Sequence, residues 1–498
     1  MTSLWLDGDR AIPVDDFVTG ASYDAVVVGA GITGLTTALL LARSGMTVAI
    51  LEARTVGAGT TGHTTAKLSL LQGTVLSALR KQYSQKVVNA YVEANKEGQA
   101  WLLRLLEERA VPFQRRDAYT FAVTGGGADR VRAELEVGKA AGLGVEEVGD
   151  AGLPFSTRSA IRLPDQAQFN PMDVLETLAA DFRAHGGVLL EGVRVLGIST
   201  GRDGSVRTDA GDVHARRTVL ATGIPILDRG LYFAKLKASQ SYAAAFRVPA
   251  STSVPSGMYL SAESPGRSLR TYPDGGEELL IAGGNGHQVG REPSPKARLD
   301  ELLNWTRHNF PGAEPTNTWS GEDYQATHLM PFFGQMPRGG GQVFFATGYN
   351  KWGMSNSIAA SLAITAEILG GDPPWANIIR HRVTSPAGAA AAVALNADTV
   401  KTMAEGWAKA ESAPPETESR TVPGEGKGTI VRQGRKPIAV STVDGVTCRV
   451  SAVCTHLRGI LSWNDTEMTW DCPLHGSRFT PAGEVLQGPT TERLPAAD

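Results

Sequence analysis

Residues 23–29 (YDAVVVG) form an unbroken apolar run with the length and β-branched content of a buried strand. Residues 31–44 follow with helical spacing and stop at Gly45, and Val48–Leu51 is a second strand closed by Glu52. Together they predict a strand–helix–strand opening. Between 76 and 109 apolar residues recur at helical intervals, which predicts a strand-poor insertion after that unit. A second unit is expected between Phe169 and Gly223. It has a helix over 172–185, a stop at Gly186-Gly187, and strands near 189–198 and 217–221. Residues 235–322 alternate as antiparallel strands do (SQSYAAAFRV, GMYLSA, LRTYP, LLIAGG), with a helix over 296–309 that stops before Pro311-Gly312. A strand over 343–346 and a helix over 355–369, stopped by Gly370-Gly371, complete this part.

The pattern then changes. Residues 385–394 are Ala/Gly-rich, 395–411 can form a helix, and 413–428 are rich in Pro, Glu, Ser and Gly, as in a tether between domains. Short strands alternating with turns follow to the end, as in a small β-domain, and no internal repeat occurs. A chain of 498 residues exceeds what one core usually serves. The expected fold class is α/β (α+β): a Rossmann-like nucleotide-binding domain interleaved with an antiparallel-sheet substrate domain, then a small all-β domain. With 42% apolar and 20% charged residues the composition is that of a globular protein. A net charge of −3 gives no reason to expect nucleic acid or an anionic membrane as partner. No run of roughly 20 apolar residues occurs, so no membrane span is expected. Residues 1–17 carry Asp7, Asp9, Arg10, Asp15 and Asp16 and lack a secretory or twin-arginine pattern, so a cytoplasmic location is expected.

Gly29-Ala30-Gly31-Ile32-Thr33-Gly34 is G-x-G-x-x-G between a strand and a helix, with Glu52 eighteen residues beyond Gly34. Gly29 permits the tight turn, Gly31 lets a pyrophosphate reach the backbone, and Gly34 lets helix and strand pack closely. The helix N-terminus offers unpaired N–H groups to phosphate, and Glu52 can accept from a ribose hydroxyl. A packing turn would explain the glycines alone, but not strand, helix and acid in register.

Further signals select the nucleotide. Glu52-Ala53-Arg54 leads into GAGTTGHTTAK (57–67), Ala221-Thr222-Gly223 follows a strand, and GYNKWGMSN (348–356) opens a helix. On these motifs residues 20–380 resemble the glycine oxidase/sarcosine oxidase (D-amino-acid oxidase-like) FAD superfamily, and are similar within it to bacterial proteins that append a Rieske domain. The resemblance implies FAD-binding segments at about 20–75, 165–230 and 325–380, and substrate-domain segments at about 76–164 and 231–324. It implies that Thr60, Thr61, His63, Thr64 and Thr65 run beside the flavin and that Val195 meets the adenine. It also implies that Gly348, Lys351, Trp352, Gly353, Met354 and Ser355 bring a helix N-terminus to the flavin's pyrimidine end. A helix dipole there favours an anionic reduced flavin. In dimethylglycine dehydrogenase-like relatives a similar loop carries a flavin-linked histidine, which makes His63 a candidate for covalent attachment and otherwise a non-covalent neighbour. Relatives that oxidise N-methyl amino acids hold the substrate carboxylate with basic residues. At those positions this chain has Ser355, Thr65, Ala66 and Ser69; the candidate substrate-side groups are Lys67, Tyr242, Arg270, His287 and Lys351.

All three cysteines, Cys448, Cys454 and Cys472, lie in the last 51 residues, which points to metal and away from a disulfide scaffold. Cys454-Thr455-His456 and Cys472-Pro473-Leu474-His475 form C-x-H and C-x-x-H, with fifteen residues between His456 and Cys472. Two thiolates on one iron and two imidazoles on the other make a Rieske [2Fe–2S] centre. A structural zinc uses the same ligand types, but WDCPLHGSRF (470–479) and Gly488-Pro489 read like the second cluster loop and the proline loop of Rieske proteins. The Rieske domain is expected over 423–498, after a linker over 381–422. Many Rieske proteins add a cysteine to each loop to form a bracing disulfide. Gly459 and Leu474 stand at those positions, and Cys448 is left as a buried thiol without a partner. In high-potential members a Ser and a Tyr donate hydrogen bonds to sulfur, and this chain has Ser477 but Phe479.

A Rieske oxygenase would need a mononuclear iron on a two-His-one-carboxylate triad, and the flavin assignment leaves no room for that domain. Flavin accepts two electrons together and releases them singly, whereas the cluster takes one at a time. The expected function is FAD-dependent oxidation of a small amine, with electrons leaving through the cluster to an external one-electron acceptor. A reductase running the reverse way from a ferredoxin-like donor, and a redox sensor without turnover, are the alternatives.

Overall fold

The computed structural model describes residues 1–8, 10–201, 204–415 and 422–497. The opening apolar run becomes the strand Ser22–Val28, flanked in parallel by Val48–Leu51 on one side and Asp212–Leu220 on the other. Val188–Leu190 and Val343–Thr347 extend the sheet in parallel, and Phe332–Gln335 closes one edge antiparallel. Ala25, Val26 and Val27 are wholly buried because helices and a second layer cover both faces, as a central parallel strand requires. Helix Ile32–Arg43 packs on this sheet beside helices Pro171–Ala184 and Gly353–Ile368. The stretch expected as one strand over 189–198 is two: Gly192, at φ +69°, turns the chain, and Val195–Ile198 pairs antiparallel with Ser205–Thr208 instead.

The second sheet runs Glu314–Ala326, Leu236–Arg247, Glu277–Gln288, Arg267–Asp274, Met258–Ser261, Phe113–Ala122, Ser159–Phe169 and Lys67–Leu68, with Glu146–Val148 on Ser159–Phe169. The expected helical insertion is two helices, Val75–Gln82 and Gln85–Glu108, broken at Tyr83-Ser84. The strands that follow them join this second sheet.

Residues 386–411 do not divide into an Ala/Gly-rich spacer and a short helix. They form one 26-residue helix, Pro386–Glu411, whose first turn is capped by Ser385 Oγ accepting from Gly388 N at 2.9 Å. Alanine is the strongest helix former, and proline suits the first helical position. Residues 416–421 of the expected tether, and Asp9, lie outside the described residues. The C-terminal part holds a three-stranded sheet (Lys427–Gln433, Lys436–Val443, Val446–Ser451) and a four-stranded one (Ser462–Asn464, Thr469–Asp471, Arg478–Phe479, Val485–Gln487). Cys448 stands half-buried on the strand Val446–Ser451 and not in the core. No helix among the described residues is long and apolar enough to cross a membrane.

Candidate functional site

The first strand delivers Gly29 to a turn with φ +103°, where a Cβ would lie 2.7 Å from the Ala221 carbonyl oxygen. A Cβ on Gly34 would lie 1.9 Å from the Gly29 carbonyl oxygen, so only glycine lets this helix seat against the turn. Glu52 ties the turn together: its carboxylate accepts from Ala30 N at 2.8 Å and from Arg54 N at 2.9 Å. Before this turn lies a cavity of about 700 Å³. Of the expected flavin-side residues, all but Gly34 and Ser355 line it. Gly34 acts through packing. Ser355 is buried behind the wall, where it donates to Asn95 Oδ1 at 2.6 Å.

The histidine loop is held from both sides. His63 Nδ1 donates to the Gly59 carbonyl at 2.8 Å, which leaves Nε2 as the ring's open nitrogen, and burial pushes its pKa down. Trp319 Nε1 donates to the His63 carbonyl and Trp5 Nε1 to that of Thr64. In the loop before helix Gly353–Ile368, Asn350 and Lys351 both take positive φ, 52° and 69°. Asn350 restrains them by accepting from Ala326 N and donating to the Leu329 carbonyl. Lys351 N donates to Asp323 Oδ2 at 2.7 Å. Two consecutive left-handed residues outside glycine cost free energy that such contacts must offset.

Three of the five substrate-side candidates line the cavity. Lys67 Nζ is buried, donates to the Tyr259 carbonyl and to Ser268 Oγ, and has no carboxylate within ion-pair reach among the described residues. Burial, reinforced by Arg270, pushes its pKa well down. Lys351 Nζ donates to Ser241 Oγ at 2.7 Å. Tyr242 Oη lies 3.0 Å from His287 Nε2, and His287 Nδ1 lies 3.0 Å from the Gln288 carbonyl. Because a carbonyl only accepts, His287 carries its proton on Nδ1 and Tyr242 donates to Nε2. His287 therefore stands behind Tyr242, outside the cavity wall. Arg270 is also outside it: the guanidinium donates to the carbonyls of Thr65, Ala66 and Phe169 and lies over the Trp5 ring, bracing the histidine loop. Three wall cations were not anticipated, Arg194, Arg267 and Arg298. Arg267 pairs with Glu301 at 2.7 and 2.8 Å and leaves Nε without a partner, and Arg298 lies nearby in the wall. None belongs to a motif: packing brings in Arg267 from the strand Arg267–Asp274 and Arg298 from the helix Pro295–Asn309.

In the C-terminal domain each cysteine closes its own turn. Cys454 N donates to the Gly459 carbonyl at 2.9 Å and Arg458 N to that of Cys454 at 3.1 Å. Cys472 N donates to the Ser477 carbonyl at 2.8 Å, and Gly476 N to that of Cys472 at 3.1 Å. Both thiols are buried, and the hydrogen bond between them holds Cys454 below its ordinary pKa and pushes Cys472 above. The rings of His456 and His475 lie 5.2 Å apart at 81°. His475 Nδ1 is buried without a partner, and burial pushes its pKa down to about 3, so it is a neutral imidazole with a free lone pair. Among the described residues no three His, Cys, Asp or Glu side chains converge on one ion. The donor set itself, two thiols and two imidazoles on two loops, is the one a [2Fe–2S] cluster takes as a thiolate pair and an imidazole pair. A Cβ on Gly459 would come within 2.6 Å of Leu474 Cδ1, so the two positions where a bracing disulfide would run are in contact and filled by leucine. Ser477 Oγ is buried beside the Cys454 thiol with no other partner, and Phe479 is wholly buried.

The two sites share a wall. Residues 485–488, 490 and 491, the proline loop, line the same cavity as the Gly29–Gly34 turn. Arg194 Nη2 donates to the Val485 carbonyl at 2.8 Å. At the boundary neither carboxylate oxygen of Glu322 nor the hydroxyl of Tyr324 has a hydrogen-bond partner, though both side chains are buried. Burial pushes the Glu322 pKa up to about 8, against the pull of Arg478. Unpartnered polar groups in the wall, together with the glycine cradle, fit a large polar ligand such as FAD.

Comparison with known proteins agrees with both halves. Residues 24–367 match the family model of FAD dependent oxidoreductases, and residues 413–498 match that of the Rieske [2Fe-2S] domain. A Rieske 2Fe-2S iron-sulfur protein of Bacillus subtilis is 30% identical over 480 residues, covering 95% of this chain and 93% of that protein. The cytochrome b6-f complex iron-sulfur subunit of Chlorobaculum thiosulfatiphilum is 35% identical over 65 residues, 13% of this chain and 36% of that protein. Among solved structures, glycine oxidase from Geobacillus kaustophilus superposes with a TM-score of 0.60 at 21% identity, covering 71% of this chain and 96% of that one. L-proline dehydrogenase from P. horikoshii gives 0.60 at 17% identity, covering 72% and 96%. These two show the fold.

Proposed function

The chain belongs to the FAD dependent oxidoreductase family, and from that premise we propose that it oxidises a small amine at a C–N bond and passes the electrons singly through its Rieske cluster to an external acceptor. FAD supplies two-electron oxidation and the [2Fe–2S] cluster one-electron transfer. The observation that carries the reading is the shared wall: the proline loop of the Rieske domain bounds the cavity that the glycine cradle opens into. In this reading Cys454, His456, Cys472 and His475 hold the cluster, and the cavity residues from Gly29 to Met354 hold FAD.

The chamber beside the flavin segments suits an amine that carries an acid group. Lys67 uses two N–H groups on Tyr259 and Ser268 and keeps one for a substrate carboxylate, whose charge would restore the cation that burial disfavours. Because Tyr242 donates to His287, its oxygen presents lone pairs to a substrate N–H. Lys351, fixed through Asp323 and Ser241, supplies a second positive charge. The names glycine oxidase and L-proline dehydrogenase, carried by proteins of this fold, point the same way.

Anaerobic addition of a panel of primary, secondary and tertiary amines should bleach the flavin absorbance with no added reductant, for at least one acidic amine. Flavin that stays oxidised with every amine, yet is bleached by a reduced one-electron carrier in a cluster-dependent way, would establish the reverse flow instead.

A further inference from the structure

In the flavin-binding half the chain leaves Ala221-Thr222-Gly223 and reaches a short 3₁₀ turn, Tyr232–Lys235, entered through Leu231 at φ +54°. Phe233 on this turn faces the C-terminal domain. Its ring lies 5.1 Å from that of His456 at 85° and 4.9 Å from that of His475 at 75°. With the two imidazoles themselves 5.2 Å apart at 81°, the three rings pack edge to face. Asp228, five residues upstream, places Oδ1 at 3.1 Å from His456 Nε2. The His456 side chain is left 7% exposed, so the histidine edge is covered by the same chain's other domain.

Each cluster loop is also clamped from outside. Arg291 Nε donates to the Pro473 carbonyl at 2.8 Å, and Gly290, at φ +68°, comes so near that a Cβ would lie 2.8 Å from Pro473 N. Helix Pro386–Glu411 spans the boundary as a strut. Asn396 Nδ2 donates to the Ala234 carbonyl on the turn that carries Phe233, and Trp407 Nε1 donates to the Arg458 carbonyl in the first cluster loop. Asp398 pairs with Arg291.

We propose that Asp228 and Phe233 are positioning residues that form a built-in docking seat for the cluster's histidine edge, committing that edge to the flavin domain of its own chain, with Asp228 tuning the cluster through His456. The proposal rests on the assignment of the four ligands made above and is independent of the substrate. With Nδ1 as the ring nitrogen left for iron, Nε2 carries the proton and donates to Asp228. A carboxylate accepting that bond strengthens the imidazole as a ligand and adds negative charge, and both favour the oxidised cluster. Phe233 fixes how the two rings sit without adding charge.

Asp228→Asn keeps the shape and removes the charge. The cluster's reduction potential should rise, up to about tenfold in a one-electron equilibrium, which is about 59 mV, and Asp228→Glu should return it. Phe233→Leu should leave the potential in place but slow electron transfer from a laser-reduced flavin to the cluster several-fold, with Phe233→Tyr restoring it. Iron and sulfide content is measured on each variant. Wild-type protein without a cluster would refute the ligand assignment, whereas a loaded Asp228→Asn with unchanged potential, or a loaded Phe233→Leu with unchanged transfer, would overturn the docking seat. On the unsubstituted holoprotein, both histidines should resist diethyl pyrocarbonate, and rapid modification of either would overturn it as well.

Discussion

The cluster loops draw all four proposed ligand positions from 22 consecutive residues, 454–475, and close each turn on its own cysteine. The flavin cavity draws its wall from segments that run from Val28 to Thr491. One site is local and held by short-range hydrogen bonds; the other exists only when two sheets, a buried helix and the neighbouring domain are packed together. The borrowing is also unequal. The Rieske domain gives the flavin cavity a piece of wall, the proline loop, whereas the flavin domain gives the cluster a seat and no ligand. A local site should survive disturbance of the rest, and an assembled one should respond to changes far from it in sequence.

The largest test is a crossover. Cys472→Ser should abolish bound iron and sulfide while leaving FAD at one per chain. Gly34→Val should do the reverse, because its side chain would drive into the Gly29 carbonyl, 1.9 Å from the Cβ alone. Overpacking of this kind costs about 1–3 kcal/mol, spent here at the turn that meets the pyrophosphate. Flavin and metal analyses of the two purified variants read the result directly. Loss of both cofactors in either one would show that the two sites do not stand apart.

A smaller effect is expected at the boundary. Burial raises the Glu322 carboxyl to about 8 from an ordinary 4.5. In the folded flavin-free protein Glu322 stays protonated across this window, while in the unfolded chain it ionises. The unfolded state then binds fewer protons, so stability should fall as pH rises from 4.5 to 8, by up to roughly 1.4 kcal/mol per pH unit. It should level off above 8. Glu322→Gln, neutral throughout, should flatten this slope in thermal unfolding followed against pH. An unchanged slope would place Glu322 in contact with water or a charge partner, and the shared wall would be less tightly closed than described.

The smallest effects are expected within the cluster loops. Ser477 Oγ lies buried beside Cys454 without another partner, and Phe479 offers no hydroxyl. A hydrogen bond to sulfur stabilises the reduced, more negative cluster, at about 1 kcal/mol, or roughly 40 mV for one electron. Ser477→Ala should lower the potential by about that much, and Phe479→Tyr should raise it. Redox titration followed by the cluster's spectrum decides both signs.

The contrast between the two sites also explains what could be read in advance. The Cys/His spacing, the glycine turn and the histidine loop are contiguous in sequence, and a turn's chemistry is written in its own residues. Lys67 and Lys351 lie within such segments, whereas Tyr242 stands outside them on the strand Leu236–Arg247, and all three line the cavity. Arg270 and His287 carry suitable chemistry but sit behind the wall, satisfied by backbone carbonyls and by Tyr242. Burial direction on a strand next to a bulge, such as the one between Gln240 and Tyr242, is not visible in one-residue alternation. Arg267 and Arg298 have no motif to mark them. The helix Pro386–Glu411 was half legible: its alanines favour a helix, but the same Ala/Gly bias also reads as a spacer.

The sequence alone determined the two cofactor classes and the order of the domains, and it proposed ligands in each short motif, because these depend on residue type at fixed short spacing. Only the tertiary structure decided that the domains lock together: Phe233 under both histidines, Asp228 on His456, Arg291 on Pro473 and the proline loop in the flavin cavity join residues up to several hundred positions apart. Contacts of that kind follow from how sheets and helices pack, and no local pattern along the chain encodes which distant surface a loop will meet.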